Sequence, residues 1–357
     1  MCLSPPRVRL IMEATGVVPY AKLYHYSDAR GTFTKDILIG LGFSVAAAIL
    51  STVSVFGLLC FIFWQTYRIV HKKDRYHFEW PTDLQLLFVS LLLFDLIQSI
   101  GAVLNIIWML EKGVVEGPIC TAQGVLRQLG QVGVALSILA IAIRTWGMIV
   151  KEWSRPPPEL AVAIVVVIWV FTLLMSVLQL GVHKEVPFFG STKYWCWISP
   201  QYGLTDSIAF SMAWIWLATV IEIVLYVSVA YTIYERRLPF NLGTLRPGGP
   251  RSMAKIAFQM TWYPVIYVVT VVPMSINRAW QLGFPNHPPP YPFTATALIL
   301  FTLSGLFNVV LFTFTRPTLI PNAGSDHESP CIQATDISTL AFRELTEENS
   351  EDGTSVI

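Results

Sequence analysis

Two arginines sit in one long apolar stretch, PICTAQGVLRQLGQVGVALSILAIAIRTWGMIVKEW, residues 118–153, which opens on Cys120 and carries Arg127 and Arg144. Read as a helix rising ~1.5 Å per residue, Cys120 to Arg144 covers about 36 Å, slightly more than the ~30 Å hydrocarbon core of a bilayer. A single helix then holds a disulfide-competent cysteine at one membrane face and a cation at the other. Between them, Gly124, Arg127, Gln128 and Gln131 make a polar stripe in the half nearest Cys120. Side chains of that kind inside a bundle are able to hold a small ligand.

Other polar residues interrupt apolar sequence in the same way. Asp95, Gln98, Ala102 and Asn105 fall on one face of a helix in DLIQSIGAVLNIIW. An ionisable group in mid-membrane is expensive, so Asp95 faces the bundle or a water cavity rather than lipid. Asn308, in a later span, lies at a similar depth, and the two are expected to meet there, with Glu222 as a rival polar centre. Asn277 and Arg278 end another span, and with Arg127, Gln128, Gln131 and Asn105 they form the expected ligand set. Two guanidiniums beside one cavity suit a carboxylate or phosphate through bidentate, charge-assisted bonds. Two alternatives stay open: Arg127 pairing with a loop acid, Glu116 or Glu185, and Arg278 snorkelling to the interface.

Enzyme chemistry finds little support. All six histidines fall outside the expected spans, so an intramembrane metal site has no histidine ligands, and no metal or other cofactor is expected. No lysine lies in the interior of a span to form a Schiff base, and no glycine-rich phosphate loop follows a strand. The chain reads as non-enzymatic.

The elements that position these residues are membrane helices. The sequence is 54% hydrophobic and 13% charged, whereas a soluble domain carries roughly 25% charged residues. A net charge of +1 gives no basic excess for nucleic acid. Seven spans are expected, at about residues 37–67, 83–110, 118–150, 160–182, 207–234, 254–280 and 293–315, with Pro264 and Pro273 kinking the sixth. The fold class is an all-α, seven-transmembrane helix bundle covering residues 36–316, preceded by a tail at 1–35 and followed by an acidic, hydroxyl-rich disordered tail at 317–357.

Loop cations set the expected orientation. Arg68, Lys72, Lys73, Arg75, Lys151, Arg155, Arg236, Arg237, Arg246, Arg251 and Arg316 lie on one side, and only Lys112, Lys184 and Lys193 on the other. By the positive-inside rule the amino terminus is outside and the carboxyl terminus cytoplasmic. Cys120 and Cys196 then share the oxidising side and are expected to form a disulfide.

The segments CTAQGVLRQLG, DLIQSIGAVLNIIW, YWCWIS, YPVIYVVTVVPMSINR and SGLFNVVLFTFTRP, in this order, resemble the fungal G-protein-coupled receptors related to glucose-sensing receptors and to slime-mould cyclic-AMP receptors. The resemblance covers residues 37–317 and neither tail. It departs at Arg144, where histidine is common in the fungal pattern. The short third cytoplasmic loop places the chain nearer the cyclic-AMP-receptor-like branch. The resemblance implies a plasma-membrane receptor that passes an extracellular small-molecule signal, nutrient- or nucleotide-like, to the Gα subunit of a heterotrimeric G protein. Asp95, Asn308, Arg144 and Pro264 would form the switch. Arg236, Arg237, Arg246, Arg251 and Lys255 would contact the G protein, besides binding membrane lipid. A small-solute transporter is the alternative, and the lack of matching broken helices in two halves of the chain counts against it.

Overall fold

The computed structural model describes residues 31–71, 83–153, 157–182, 187–235, 262–284 and 286–315. The first span is α1 (Lys35–His71), with Asp36 in its first turn, where a carboxylate complements the helix dipole. The second is α2 (Asp83–Val103) followed by α3 (Asn105–Leu110), interrupted at Leu104. It ends in a Schellman motif: Lys112 takes a left-handed φ of 52°, Gly113 N–H donates to Trp108 O at 3.0 Å and Lys112 N–H to Met109 O at 3.3 Å. The third span, α4 (Pro118–Val150), starts with proline in its first turn, where the missing N–H costs nothing. The fourth is α5 (Pro158–Val182).

The loop after α5 contains a two-stranded antiparallel hairpin absent from the helical expectation, β1 (Phe189–Ser191) and β2 (Cys196–Ile198), in register Phe189↔Ile198, Gly190↔Trp197 and Ser191↔Cys196. Its turn closes where Thr192 N–H donates to Trp195 O at 2.9 Å. Both strands are buried, so the hairpin is a lid seated in the bundle mouth.

The fifth span enters through a short 3-10 turn (Pro200–Tyr202), α6 (Gly203–Ser207) and a π turn (Ile208–Met212), then continues as α7 (Ala213–Glu235). The sixth is α8 (Trp262–Gly283), with Pro273 inside it. The seventh, expected as one helix, is α9 (Tyr291–Thr302) and α10 (Ser304–Thr315), bent by 40° at Leu303.

Among the described residues five helices are long and apolar enough to cross a membrane, and the bent α9–α10 pair makes a sixth span. At 22 described residues α8 extends ~33 Å, enough to cross, and it carries Asn277 and Arg278 inward. Apolar side chains such as Phe63, Val167 and Leu178 point outward, as lipid contact requires. Inside, small residues let backbones approach. A Cβ added at Gly130 would lie 2.6 Å from the Gln98 Cβ, and one at Gly133 would enter the Phe94 ring, so α2 and α4 pack at closest range there. Phe94 in turn stacks on Trp169 of α5 at 4.2 Å.

Candidate functional site

The half of the bundle that holds Cys120 is assembled around it. Its disulfide to Cys196 links α4 to β2 across 76 residues of sequence, with the Cα atoms 5.2 Å apart. One turn along α4, Gln123 is buried and spends its amide fully. Its Oε1 accepts from Trp108 Nε1 at 2.8 Å and from the Cys196 backbone N–H at 2.7 Å. Its Nε2 donates to Gly101 O at 3.0 Å and to Asn105 Oδ1 at 2.8 Å. The interruption of the second span at Leu104 lies between those last two partners. Gln123 therefore joins the second span, the third span and the lid, and the sequence reading passed over it.

The ligand set expected from sequence is buried throughout: Arg127, Gln128, Gln131, Asn105, Asn277 and Arg278. Its members differ in what they already hold. Arg278 does not snorkel; its Nη2 donates to Ile198 O of β2 at 2.6 Å, and its guanidinium lies 5.2 Å from the Trp197 ring centroid. Arg127 lies 5.5 Å from the Trp195 ring and 5.7 Å from Phe301, and neither Nη1 nor Nη2 has a hydrogen-bond partner among the described residues. Glu116, one proposed counter-ion, instead accepts from Ser191 N–H at 3.2 Å; Glu185 lies outside the described residues.

Gln128 Nε2 donates to Met175 O and Phe210 O, both at 3.1 Å, tying α4 to α5 and to the π turn. The wider π turn takes backbone carbonyls out of the regular ladder, and a second one, Ala209 O, accepts from Trp214 Nε1 at 3.0 Å. Asn277 Oδ1 accepts from Thr294 Oγ1 at 2.8 Å, which joins the sixth and seventh spans. Trp280 points away from this set, donating to His287 O at 3.0 Å.

Deeper in the bundle the structure brings Asp95 and Asn308 together. Asn308 Nδ2 donates to Asp95 Oδ2 at 2.7 Å, and Ser304 Oγ donates to Asp95 Oδ1 at 3.5 Å. Gln98, one turn along α2, donates to Ser304 Oγ at 3.1 Å and to Phe301 O at 3.4 Å. Two polar residues of the second span thus embrace the bend of the seventh. Glu222 lies elsewhere on α7, fully buried, and neither carboxylate oxygen has a hydrogen-bond partner among the described residues. Arg144 is half-buried near the C-terminal end of α4. Of the acids expected to hold it, Glu235 is exposed, and the side chain of Asp83 lies outside the described residues. Pro264 is the third described residue of α8, and the proline inside that helix is Pro273. Arg236, Arg237, Arg246, Arg251, Lys255 and both tails lie outside the described residues.

A cavity of about 620 Å³ opens at the seam between α4, α5 and β1, lined by Glu116, Pro118, Val125, Leu180, Pro187 and Phe189 among others. It contains none of the expected ligand residues.

Residues 75–311, more than half of the chain, match the family model described as "7 transmembrane receptor (rhodopsin family)". No curated protein matches the sequence.

Proposed function

The chain belongs to the rhodopsin family of seven-transmembrane receptors, and on that premise we propose that it transduces an extracellular small-molecule signal, nutrient- or nucleotide-like, to a cytoplasmic heterotrimeric G protein. The observation that carries this reading is the outer half of the bundle, where Arg127, Gln128, Asn105 and Asn277 each keep at least one buried polar atom without a partner among the described residues, beneath a lid pinned by a disulfide. Buried polar groups are normally paired, and a set of unsatisfied ones in one region is what a bound polar molecule completes.

Orientation follows the loop cations, with the amino terminus outside and the carboxyl terminus cytoplasmic in the plasma membrane. The five ordered sequence segments support the cyclic-AMP-receptor-like fungal branch. The ligand acts by population shift: it binds one arrangement of the sixth and seventh spans better than the resting one. The bend at Leu303, embraced by Gln98 and Asp95, and the lid contact of Arg278 are the elements whose geometry such a shift changes. At the inner face, Arg144 and the rim of Arg236, Arg237, Arg246, Arg251 and Lys255 meet Gα. The chain catalyses no reaction of its own.

Receptor and transporter are separated by two assays on one preparation. Proteoliposomes holding the purified chain are expected to accelerate nucleotide exchange on added heterotrimer and to show no saturable uptake of radiolabelled sugars, amino acids or nucleotides. Saturable uptake without accelerated exchange would overturn the receptor reading.

A further inference from the structure

The two buried arginines of the outer bundle look interchangeable in the sequence, and the structure separates them. Arg278 is already employed: its guanidinium lies against Trp197 and donates to Ile198 O, so it fastens the sixth span to the lid. Arg127 is built differently. Its two terminal nitrogens are buried and have no hydrogen-bond acceptor among the described residues, and aromatic rings flank it from the lid and from α9. The second span makes room for its stem, since a Cβ at Gly101 would come within 3.1 Å of Arg127 Cγ.

A guanidinium cannot shed its proton to escape burial, and ring faces supply attraction but no hydrogen-bond acceptor. Three described acids of the second and third spans and the loop between them are placed elsewhere. Asp95 is held by Asn308 and Ser304, Glu116 holds the Ser191 amide, and Glu111 is exposed at the end of α3. Asn105 adds a second buried donor: its Oδ1 is taken by Gln123, and its Nδ2 has no partner among the described residues. Asn105 lies one turn from Gly101 on the second span, as Gln123 lies one turn from Arg127 on the third. The region thus offers donors and positive charge, bounded by aromatic faces.

Deepening the receptor reading above, on which it rests, we propose that Arg127 alone of the two arginines receives the anionic group of the ligand, a carboxylate or phosphate oxyanion. The planar fork of Arg127 matches two oxygens of that group. Trp195 and Phe301 then lie against the adjoining part of the ligand, which favours a flat or apolar body over a heavily hydrated one. Arg278 stays with the lid and takes no share of the charge.

The test uses the purified full chain in nanodiscs of zwitterionic lipid, with thermal unfolding as the readout. Acetate, benzoate and inorganic phosphate are titrated at constant ionic strength against sodium chloride, with acetamide and benzamide as uncharged counterparts. At least one of the three oxyanions is expected to raise the unfolding temperature saturably, by about 2 °C near ten times its dissociation constant, while the amides do not. Benzoate without phosphate identifies a carboxylate site and phosphate without benzoate a phosphate site; either supports the proposal. The shift is expected to vanish in Arg127→Gln and to persist in Arg278→Gln. Should Arg127→Gln fail to fold, Arg127→Lys keeps the charge without the fork and is expected to weaken the shift at least tenfold in apparent affinity. No saturable shift from any oxyanion, a shift from chloride alone, or an undiminished shift in the Arg127 variants each overturns the proposal. Basal nucleotide exchange on the same discs reads the receptor function separately, so its survival alongside a missing anion effect would refute the anion site alone.

Discussion

Replacing Gln123 with methionine tests how the lid is held. Methionine keeps the length of the side chain but loses all four hydrogen bonds, leaving Trp108 Nε1, Cys196 N–H, Gly101 O and Asn105 Oδ1 without the partner they have now. A buried group stripped of its partner costs ~1–3 kcal/mol in soluble proteins, but interhelical bonds inside membrane bundles average only ~0.6 kcal/mol. Weighing the four bonds between those scales gives roughly 2–4 kcal/mol, or a fall of about 3–5 °C in unfolding temperature at this size. Gln123→Glu keeps both acceptor contacts but sets a buried carboxylate oxygen against Gly101 O and Asn105 Oδ1, so it is expected to be at least as damaging as methionine. Because the Cys196 amide is one of the four partners, a second readout is available: the disulfide should be reduced faster by an added thiol in Gln123→Met than in wild type. An unfolding temperature within about 2 °C of wild type, together with an unchanged reduction rate, would falsify the assignment of Gln123 as the junction of lid and bundle.

Three further outcomes follow from the same packing. Glu222 is fully buried with neither oxygen partnered among the described residues, so Glu222→Met is expected to raise the unfolding temperature; a loss of stability would show that the carboxyl is satisfied. Removing the disulfide by Cys120→Ser opens a 76-residue loop and is expected to cost about 4 kcal/mol, seen as lost folded protein at the cell surface; full surface expression would contradict it. Gly133→Ala drives a methyl group into the Phe94 ring and is expected to cost about 1–3 kcal/mol in unfolding experiments, while Gly181→Ala, with nothing within 4 Å of the added Cβ, is expected to be neutral.

How much of this could be read from the sequence depends on whether a residue had a choice of partner. Asp95 and Asn308 are isolated polar groups at matching depth in apolar helices, so burial leaves them little besides each other. Cys120 and Cys196 share one side once the loop cations orient the spans. Gln123 was harder to see. It is one of three glutamines in that stretch, with Gln128 and Gln131, and nothing in its type marks it as the amide that holds the lid. The available signal was position: one turn from a disulfide cysteine, an amide is within reach of the partner strand. The hairpin was legible in principle, because FFGS and YWCWIS are short aromatic-rich runs around a brief polar turn, a strand pattern rather than a helical one. The π turn at Ile208–Met212 carries no proline or glycine to announce it, and at the bend the only such signal is the Ser304–Gly305 pair that follows Leu303. Both are marked instead by carbonyls that side chains from other spans occupy, Phe301 O by Gln98 and Phe210 O by Gln128, and such pairing is set by tertiary packing. The difference between Arg127 and Arg278 is of the same kind, since it depends on which acceptors the lid places beside each.

The central claim, that this bundle is a receptor acting through a G protein, is tested most directly by capture of the heterotrimer. The purified chain in nanodiscs is mixed with GDP-loaded heterotrimers of each major Gα class, the free nucleotide is removed enzymatically, and the mixture is separated by size. The account predicts a complex of receptor and nucleotide-free heterotrimer for at least one class, dissolved by a non-hydrolysable GTP analogue. A folded, monodisperse receptor that leaves every class of heterotrimer GDP-bound and separate would contradict it.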